Sequence, residues 1–147
     1  MDVKFAKRYL VILADRQKGR FFTTFMDNFE YQSEEIIIDD NVPQKVKAEH
    51  TRPGKVQNHI REHLHHHLRH IGVEALNYLI KRRIRQLDGV IIGGHQELLH
   101  RIKEYLPSKL RNKVIGEFVT DMHLSVGDLT EKAKQIYRSQ SSTKALV

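Results

Sequence analysis

Four histidines fall on one side of a predicted long helix, where they could bind a metal ion. His59, His63, His66 and His70 recur every three or four residues, so they lie within about 60° of one another around a helix. Histidines four residues apart can chelate Zn²⁺, Ni²⁺ or Cu²⁺. A committed zinc site needs three or four ligands in tetrahedral geometry, and no HExxH motif accompanies these residues. We favour the alternative, a basic helix face that becomes more positive as the pH falls through about 6.5.

Acidic residues near predicted strand ends are a second candidate for chemistry. Asp15 ends the first predicted strand, Asp39 and Asp40 end the third, and Asp88 and Asp121 lie beside later strands. Two-metal nucleases need several carboxylates that converge on ions about 4 Å apart. Nothing in the sequence requires these five side chains to converge. We interpret them as acids of turns and strand ends.

The excess positive charge lies in one segment. Residues 41–85 hold ten basic and three acidic residues, a net charge of +7, and the fifteen basic and fifteen acidic residues elsewhere cancel. Such a concentrated positive field attracts polyanions, of which RNA is the commonest cytosolic candidate. The alternative is a solvated basic helix without a partner. The predicted phosphate contacts are Lys45, Lys47, Arg52, Lys55, Arg61, Arg69, Lys81, Arg82, Arg83 and Arg85.

Two further motifs have both a functional and a structural interpretation. Residues 81–85, KRRIR, either contact an RNA backbone or close the C-terminal end of a helix, where cations complement the helix dipole. Gly93 and Gly94 resemble the glycine turns that approach phosphates. The chain has no GxGxxG and no Walker lysine pattern, so we expect these glycines to serve close packing.

Composition excludes several classes of protein. The 147 residues suit one domain with its own apolar core. Without cysteine, the chain has no disulfide, no thiolate catalysis and no cysteine-ligated zinc. No signal peptide is recognisable, and the apolar runs are too short to span a membrane. We therefore expect a cytoplasmic protein that needs no cofactor and has no membrane partner.

The apolar pattern predicts the elements that position these residues. Predicted strands of an antiparallel meander span 8–15, 20–26 and about 31–38. Residues 39–55 are polar, contain two prolines and predict a long loop. Apolar residues then recur every three or four positions, which predicts an amphipathic helix running to about Arg85. They are Val56, Ile60, Leu64, Leu68, Ile71, Ala75 and Leu79.

The second half of the chain alternates strands and helices. The predicted elements are a strand at 89–92, a helix at 96–105, a helical turn after Pro107, a strand at 114–119 and a helix from the N-cap Ser125 to about Arg138. Residues 1–7 and 139–147 are expected to be flexible termini. The fold class is therefore α/β, a mixed sheet in which an antiparallel three-strand meander precedes α-β-α-β-α.

Residues 8–138 resemble a known domain in the order and spacing of these segments. Residues 9–25, YLVILADRQKGRFFTTF, resemble its opening hairpin, and 42–47, VPQKVK, resemble the start of its basic loop. Residues 59–76 resemble its basic, histidine-containing helix, and 89–102 resemble its strand, glycine turn and helix. The domain is the middle domain of the eukaryotic and archaeal class I release factor and Pelota superfamily. The resemblance implies a ribonuclease-H-like topology.

The resemblance also sets the functional expectation. In the release factors, the loop before the basic helix carries a catalytic Gly-Gly-Gln tripeptide, whose position corresponds to residues 49–52 of this chain. Residues 48–55, which include that position, read AEHTRPGK, and Gly-Gly-Gln occurs nowhere in the chain. The resemblance therefore implies an RNA- or ribosome-binding module related to release and ribosome rescue factors, with tRNA or the ribosome as partner and without the usual peptidyl-tRNA hydrolysis.

Two other functions stay open at the level of sequence. The first is a hydrolase of peptidyl-tRNA or RNA in which a loop residue such as His50 acts as the general base in place of the missing glutamine. The second is a domain that has kept the fold but binds a metal ion or a protein instead of RNA. The sequence does not indicate an oligomeric state.

Overall fold

A computed structural model describes residues 7–26, 35–40 and 53–145, with only the helical backbone for residues 53–60 and 141–145. The elements follow the predicted order. They are β1 (Arg8–Ala14), β2 (Lys18–Phe25), β3 (Ile36–Asp39), α1 (Pro53–Lys81), β4 (Gly89–Gly94), α2 (Gln96–Tyr105), α3 (Ser108–Arg111), β5 (Val114–Val119) and α4 (Val126–Ala145).

The five strands form one mixed sheet in the order β3-β2-β1-β4-β5. Strands β1, β2 and β3 pair antiparallel, as the predicted meander requires, whereas β4 pairs parallel with β1 and β5 pairs parallel with β4. The predicted mixed α/β fold is thus confirmed. The more specific ribonuclease-H-like description stays a prediction.

Each face of the sheet is covered by helices, and the central strand β1 contributes to both. Leu10 and Ile12 point into a core formed with α1, α2 and α3. Val11 and Leu13 point into a second core formed with α4. A strand buried on both faces carries apolar residues at successive positions, which explains the uninterrupted run YLVILA. The two helical layers are therefore on opposite sides of the sheet.

Helix α1 begins earlier than the sequence predicted. The expected loop extended to residue 55, whereas the helix starts at Pro53. Proline is well suited to the first helical position, because the N–H that it lacks would have no partner there. Five predicted core positions of this helix are buried in the structure: Leu64, Leu68, Ile71, Ala75 and Leu79. Val56 and Ile60 belong to the turns whose side chains are not described.

Helix α1 ends in a capping motif that contains the predicted basic cluster. The N–H of Ile84 donates to the carbonyl of Leu79, and the N–H of Arg83 donates to that of Ile80. This is the hydrogen-bond pattern of a Schellman motif. Arg83 occupies its left-handed position with φ of 55°, where glycine is usual because a side chain is strained. The cluster therefore does close the helix.

Helix α4 begins as predicted and ends later. Ser125 Oγ accepts the N–H of Asp128 at 3.1 Å, which confirms the N-cap. The helix continues past Arg138 to Ala145, so the expectation of a flexible tail from residue 139 is wrong as far as Ala145. No glycine or proline follows Gly127, and the sequence therefore contains no residue that would stop the helix.

Candidate nucleic-acid interface

The predicted phosphate contacts divide into described and undescribed residues. Six of them are exposed in the structure: Arg61, Arg69, Lys81, Arg82, Arg83 and Arg85. Lys55 lies in the first turn of α1, where only the backbone is described. Lys45, Lys47 and Arg52, and the candidate base His50, lie outside the described residues. The candidate interface therefore rests on the second half of α1 and the connection that follows it.

The structure adds cations from two further helices to the same side of the sheet. Arg101 of α2 and Lys109 and Arg111 of α3 are exposed. Residues 61–113 together hold eleven basic and five acidic residues. Because α1, α2 and α3 contribute to one core, we call these helices and their connections the basic layer. The sequence analysis missed the contribution of α2 and α3, since charge was counted along the chain and not across the fold.

Most acidic residues of the basic layer already have partners. Their interactions join Glu74 to His70, Asp88 to the backbone N–H of Arg8, Glu97 to Arg16, and Glu104 to His100. By contrast, no carboxylate of the described part of the chain forms an ion pair with Arg61, Lys81, Arg83 or Arg85. The positive charge at these four positions is therefore not neutralised within the described structure.

An aromatic and cationic cluster lies within this layer, where α1 meets the end of α2. The ring centroids of His65 and Tyr105 are 5.1 Å apart, with the planes tilted by 39°. The guanidinium carbon of Arg69 lies 5.9 Å from the Tyr105 centroid. His65 and Arg69 are exposed, whereas Tyr105 is half-buried against the core. We call these three residues the Tyr105 cluster.

His67, which was not among the candidate residues, is bonded through both of its ring nitrogens. Its side chain is fully buried. Nδ1 lies 2.7 Å from a carboxylate oxygen of Asp40, and Nε2 lies 2.9 Å from the backbone oxygen of Asp15. His70 Nδ1 is also 3.0 Å from that Asp40 oxygen. The residue after β3 is therefore tied to the middle of α1.

The Asp40 carboxylate is the acceptor that joins His67 and His70. Partial burial by itself would raise the pKa of Asp40, but hydrogen bonds from His67 and His70 and the positive charge of those rings outweigh it, so the pKa lies below the ordinary value of 3.8. Asp40 is thus an ionised acceptor, and the Asp15 carbonyl can only accept. Both ring nitrogens of His67 therefore face hydrogen-bond acceptors.

The three candidate metal ligands whose side chains are described do not converge. His70 is bonded to Asp40, His66 is exposed, and Nε2 of His63 is buried without a hydrogen-bond partner in the described structure. The side chain of His59 is not described. Within the ranges 7–26, 35–40 and 61–140, no group of three His, Asp or Glu side chains could hold a metal ion. This arrangement gives no support to a metal function for the histidine stripe.

The strand-end acids and glycines have structural partners. Asp15 accepts the N–H groups of Gln17 and Lys18 in the hairpin turn, Asp39 accepts from the Gln17 side chain, and Asp121 accepts the N–H of His123. A Cβ on Gly94 would lie 2.5 Å from the carbonyl oxygen of Ala14, and one on Gly93 would lie 2.7 Å from the Phe118 ring. These features serve turns and close strand packing, as expected.

A cleft of about 640 Å³ near the hairpin turn contains a half-buried arginine that serves the fold. Arg20 donates to both carboxylate oxygens of Glu35, at 3.1 and 2.8 Å. The same guanidinium donates to the backbone carbonyls of Met122 and Leu124, at 2.8 and 2.7 Å. These bonds fix the connection between β5 and α4. Arg20 therefore has its donors directed at protein acceptors and is not poised to bind an anion.

The chain is similar to known proteins in sequence and in fold. A family model described as bacterial archaeo-eukaryotic release factor family 10 matches residues 4–138. An archaeal translation termination factor shares the fold with a TM-score of 0.61 at 17% identity, and a second structure, described as an archaeal protein, gives 0.59 at 19%. Each match covers 94% of this chain and 39% or 38% of the solved chain, about two fifths of its length. No curated protein sequence matches.

Among the described residues, none of the helices combines the length and the apolar character needed to cross a membrane.

Proposed function

The chain belongs to bacterial archaeo-eukaryotic release factor family 10, and from this premise we propose that it is an RNA-binding domain that acts in translation. The basic layer is its binding face, and the phosphate backbone of tRNA or ribosomal RNA is its ligand. One of the structures that share its fold is a translation termination factor, which supports a role in the same process. We propose the cytoplasm as its location.

One observation carries this proposal. The basic residues of the basic layer outnumber its acidic residues by eleven to five, and most of those acids are already bonded. Unpaired cations such as Arg61, Lys81 and Arg85 can therefore neutralise phosphates and release the counterions that RNA carries. Contacts of this kind supply affinity and orientation without reading a base sequence. We accordingly expect binding that depends strongly on salt and weakly on sequence.

We further propose that binding is not coupled to the usual hydrolysis of peptidyl-tRNA. The chain lacks the Gly-Gly-Gln tripeptide that its resemblance to the release factors would lead one to expect near residues 49–52. The alternative base, His50, lies outside the described residues. Turnover of a peptidyl-tRNA ester that is lost in His50→Ala would contradict this part of the proposal.

The proposal is tested by co-sedimentation with ribosomes and by binding of tRNA, each at low and high salt. The basic-layer variant carries Arg61→Gln, Lys81→Gln and Arg85→Gln. The control variant removes the same charge elsewhere, through Lys18→Gln, Lys132→Gln and Arg138→Gln. We expect the wild-type protein and the control variant to bind at low salt and to dissociate at high salt. We expect the basic-layer variant to bind markedly less.

Two results would overturn the assignment. Wild-type protein that binds neither ribosomes nor tRNA at low salt would remove the proposed function. Equal loss of binding in the two variants would show that net charge alone matters, and would contradict the assignment of the basic layer as the binding face.

A further inference from the structure

The Tyr105 cluster presents planar side-chain groups, which are not needed for binding phosphates. His65 and Arg69 present two planar groups, an imidazole and a guanidinium, beside a tyrosine ring that is half-buried against the core. Rings and guanidinium groups of this kind stack on nucleobases, whereas phosphates need only charge. The cluster is therefore suited to a flat, uncharged ligand surface beside a polyanion.

The geometry of α1 builds this cluster from residues on one helix face. His65, Arg69 and Gly72 are separated by four and three residues and therefore lie along the same side of the helix. A Cβ on Gly72 would lie 3.2 Å from the Tyr105 carbonyl oxygen and 3.0 Å from Pro107 Cδ. The glycine thus lets the end of α2 approach α1 closely. This approach brings the Tyr105 ring against His65 and Arg69.

The surroundings of the cluster are cationic. Arg61 precedes His65 by one helical turn, Arg101 precedes Tyr105 by one turn of α2, and both are exposed. Arg111 extends toward the same helix end, with Nη1 3.4 Å from the Glu104 carbonyl oxygen. The Glu104 carboxylate is bonded to His100. A polynucleotide crossing this point would meet a stacking surface with positive charge on either side.

We propose that the Tyr105 cluster is a stacking platform for one unpaired base of a bound RNA. This proposal rests on the proposed function, because it assumes that the basic layer binds RNA. The base lies against the outer planes of His65 and Arg69, which Tyr105 supports from the core side, and the neighbouring arginines hold the flanking phosphates. The base must be unpaired, because a duplex keeps base faces inside its own stack.

The test compares a short single-stranded RNA that cannot pair with itself and a duplex of the same length. Tyr105→Leu removes the ring and keeps an apolar side chain against the core, whereas Tyr105→Phe keeps the ring. Loss of one stacked base should lower affinity for the single strand by roughly 5- to 100-fold. We expect Tyr105→Leu to show this loss, Tyr105→Phe to bind like the wild type, and neither variant to change duplex affinity.

A second variant tests the stacking platform without changing the half-buried tyrosine. Arg69→Lys keeps the exposed charge and removes the planar guanidinium. It should weaken binding of the single strand several-fold, with an unchanged dependence on salt, because the number of phosphate contacts is the same. Arg61→Gln is the complementary variant, because it removes a charge. It should weaken binding of both RNAs and make the salt dependence of binding shallower.

The outcomes separate the platform from the function on which it rests. If the wild-type protein binds neither RNA at low salt, both proposals fail. If it binds both RNAs and Tyr105→Leu and Arg69→Lys leave single-strand affinity unchanged, the platform is wrong and the phosphate-binding face stands. Equal loss of single-strand and duplex affinity in these variants would also overturn the platform, since it would mean that the cluster only supports the surface.

Discussion

The two helical layers cover opposite faces of the same sheet, and they differ in charge. Residues 61–113, with the basic layer, hold eleven basic and five acidic residues, whereas residues 114–147, with α4, hold four of each. On the α4 side, Arg138 is paired with Glu131. Folding requires only the buried stripe, and concentrated like charge opposes it. The excess on one layer is therefore best explained by a partner outside the fold.

The comparison also holds within α1, between its inner and outer faces. The His67 side chain faces inward and is fully buried beside Asp40, whereas its neighbour His66 is exposed. We infer that the inner histidine serves the fold and that the outer residues serve binding. Substitutions on the inner face should therefore change stability, and those on the outer face should change binding.

His67→Ala should lower the free energy of unfolding by about 2–4 kcal/mol, because it opens a cavity and removes two buried hydrogen bonds. His66→Ala, at the exposed neighbouring position, should change stability by less than about 0.5 kcal/mol. Urea denaturation followed by circular dichroism measures both. Similar stabilities for the two variants would contradict the separation of inner and outer faces.

The Asp40 network should make stability depend on acid pH. The folded-state pKa of Asp40 lies below its ordinary value of 3.8, so its contribution is fully present above that value and is lost as the pH falls through the folded-state pKa. Unfolding midpoints measured between neutral pH and pH about 3 should fall less steeply for Asp40→Asn than for the wild type. Asp39→Asn, at an exposed residue bonded to Gln17, should retain the wild-type slope.

Gly72→Ala should lower stability by about 1–2 kcal/mol, because overpacking forces neighbouring groups to move. The new Cβ would meet backbone and proline atoms of the α2–α3 connection at 3.0–3.4 Å. Gly127→Ala in α4 is the control in the opposite layer, since the nearest atom is Ser125 Oγ at 3.8 Å. The control should be neutral or slightly stabilising. Calorimetric melting of the two variants measures both changes in stability.

Arg83→Gly should raise stability and weaken RNA binding at the same time. Glycine relieves the left-handed backbone at φ of 55°, which should add about 1 kcal/mol, while the loss of an unpaired cation should reduce affinity. Arg85→Gly removes the same charge without relieving strain, so it should weaken binding without the gain in stability. A stabilised Arg83→Gly that binds RNA like the wild type would exclude this residue from the interface.

Local pattern was sufficient to predict much of the fold. The spacing of Leu64, Leu68, Ile71 and Ala75 predicted the buried face of α1, and Ser125 was correctly predicted as an N-cap. The resemblance to the release factor superfamily is confirmed by the family match over residues 4–138. The predictions of the buried helix face and of the N-cap succeed because both features depend on residues close together in the chain.

The site residues that pattern missed depend on contacts distant in the chain. His67 lies three residues after Leu64 and four before Ile71, so its place in the buried stripe was visible, but its pairing with Asp40 across 27 residues was not. The Tyr105 cluster likewise joins α1 to α2 through the close approach at Gly72. Charge counted along the sequence could not include Arg101, Lys109 and Arg111, which reach the basic layer only through folding.

The central claim, that the basic layer binds RNA phosphates, is tested most directly by the salt dependence of tRNA affinity. The logarithm of the binding constant should fall linearly with the logarithm of salt concentration, with a slope of roughly 0.7–0.9 per phosphate contact. The slope should become shallower by about 2–3 for the basic-layer variant and stay unchanged for the control variant. Affinity that does not depend on salt, or the same slope in the wild type and both variants, would contradict phosphate binding by the basic layer.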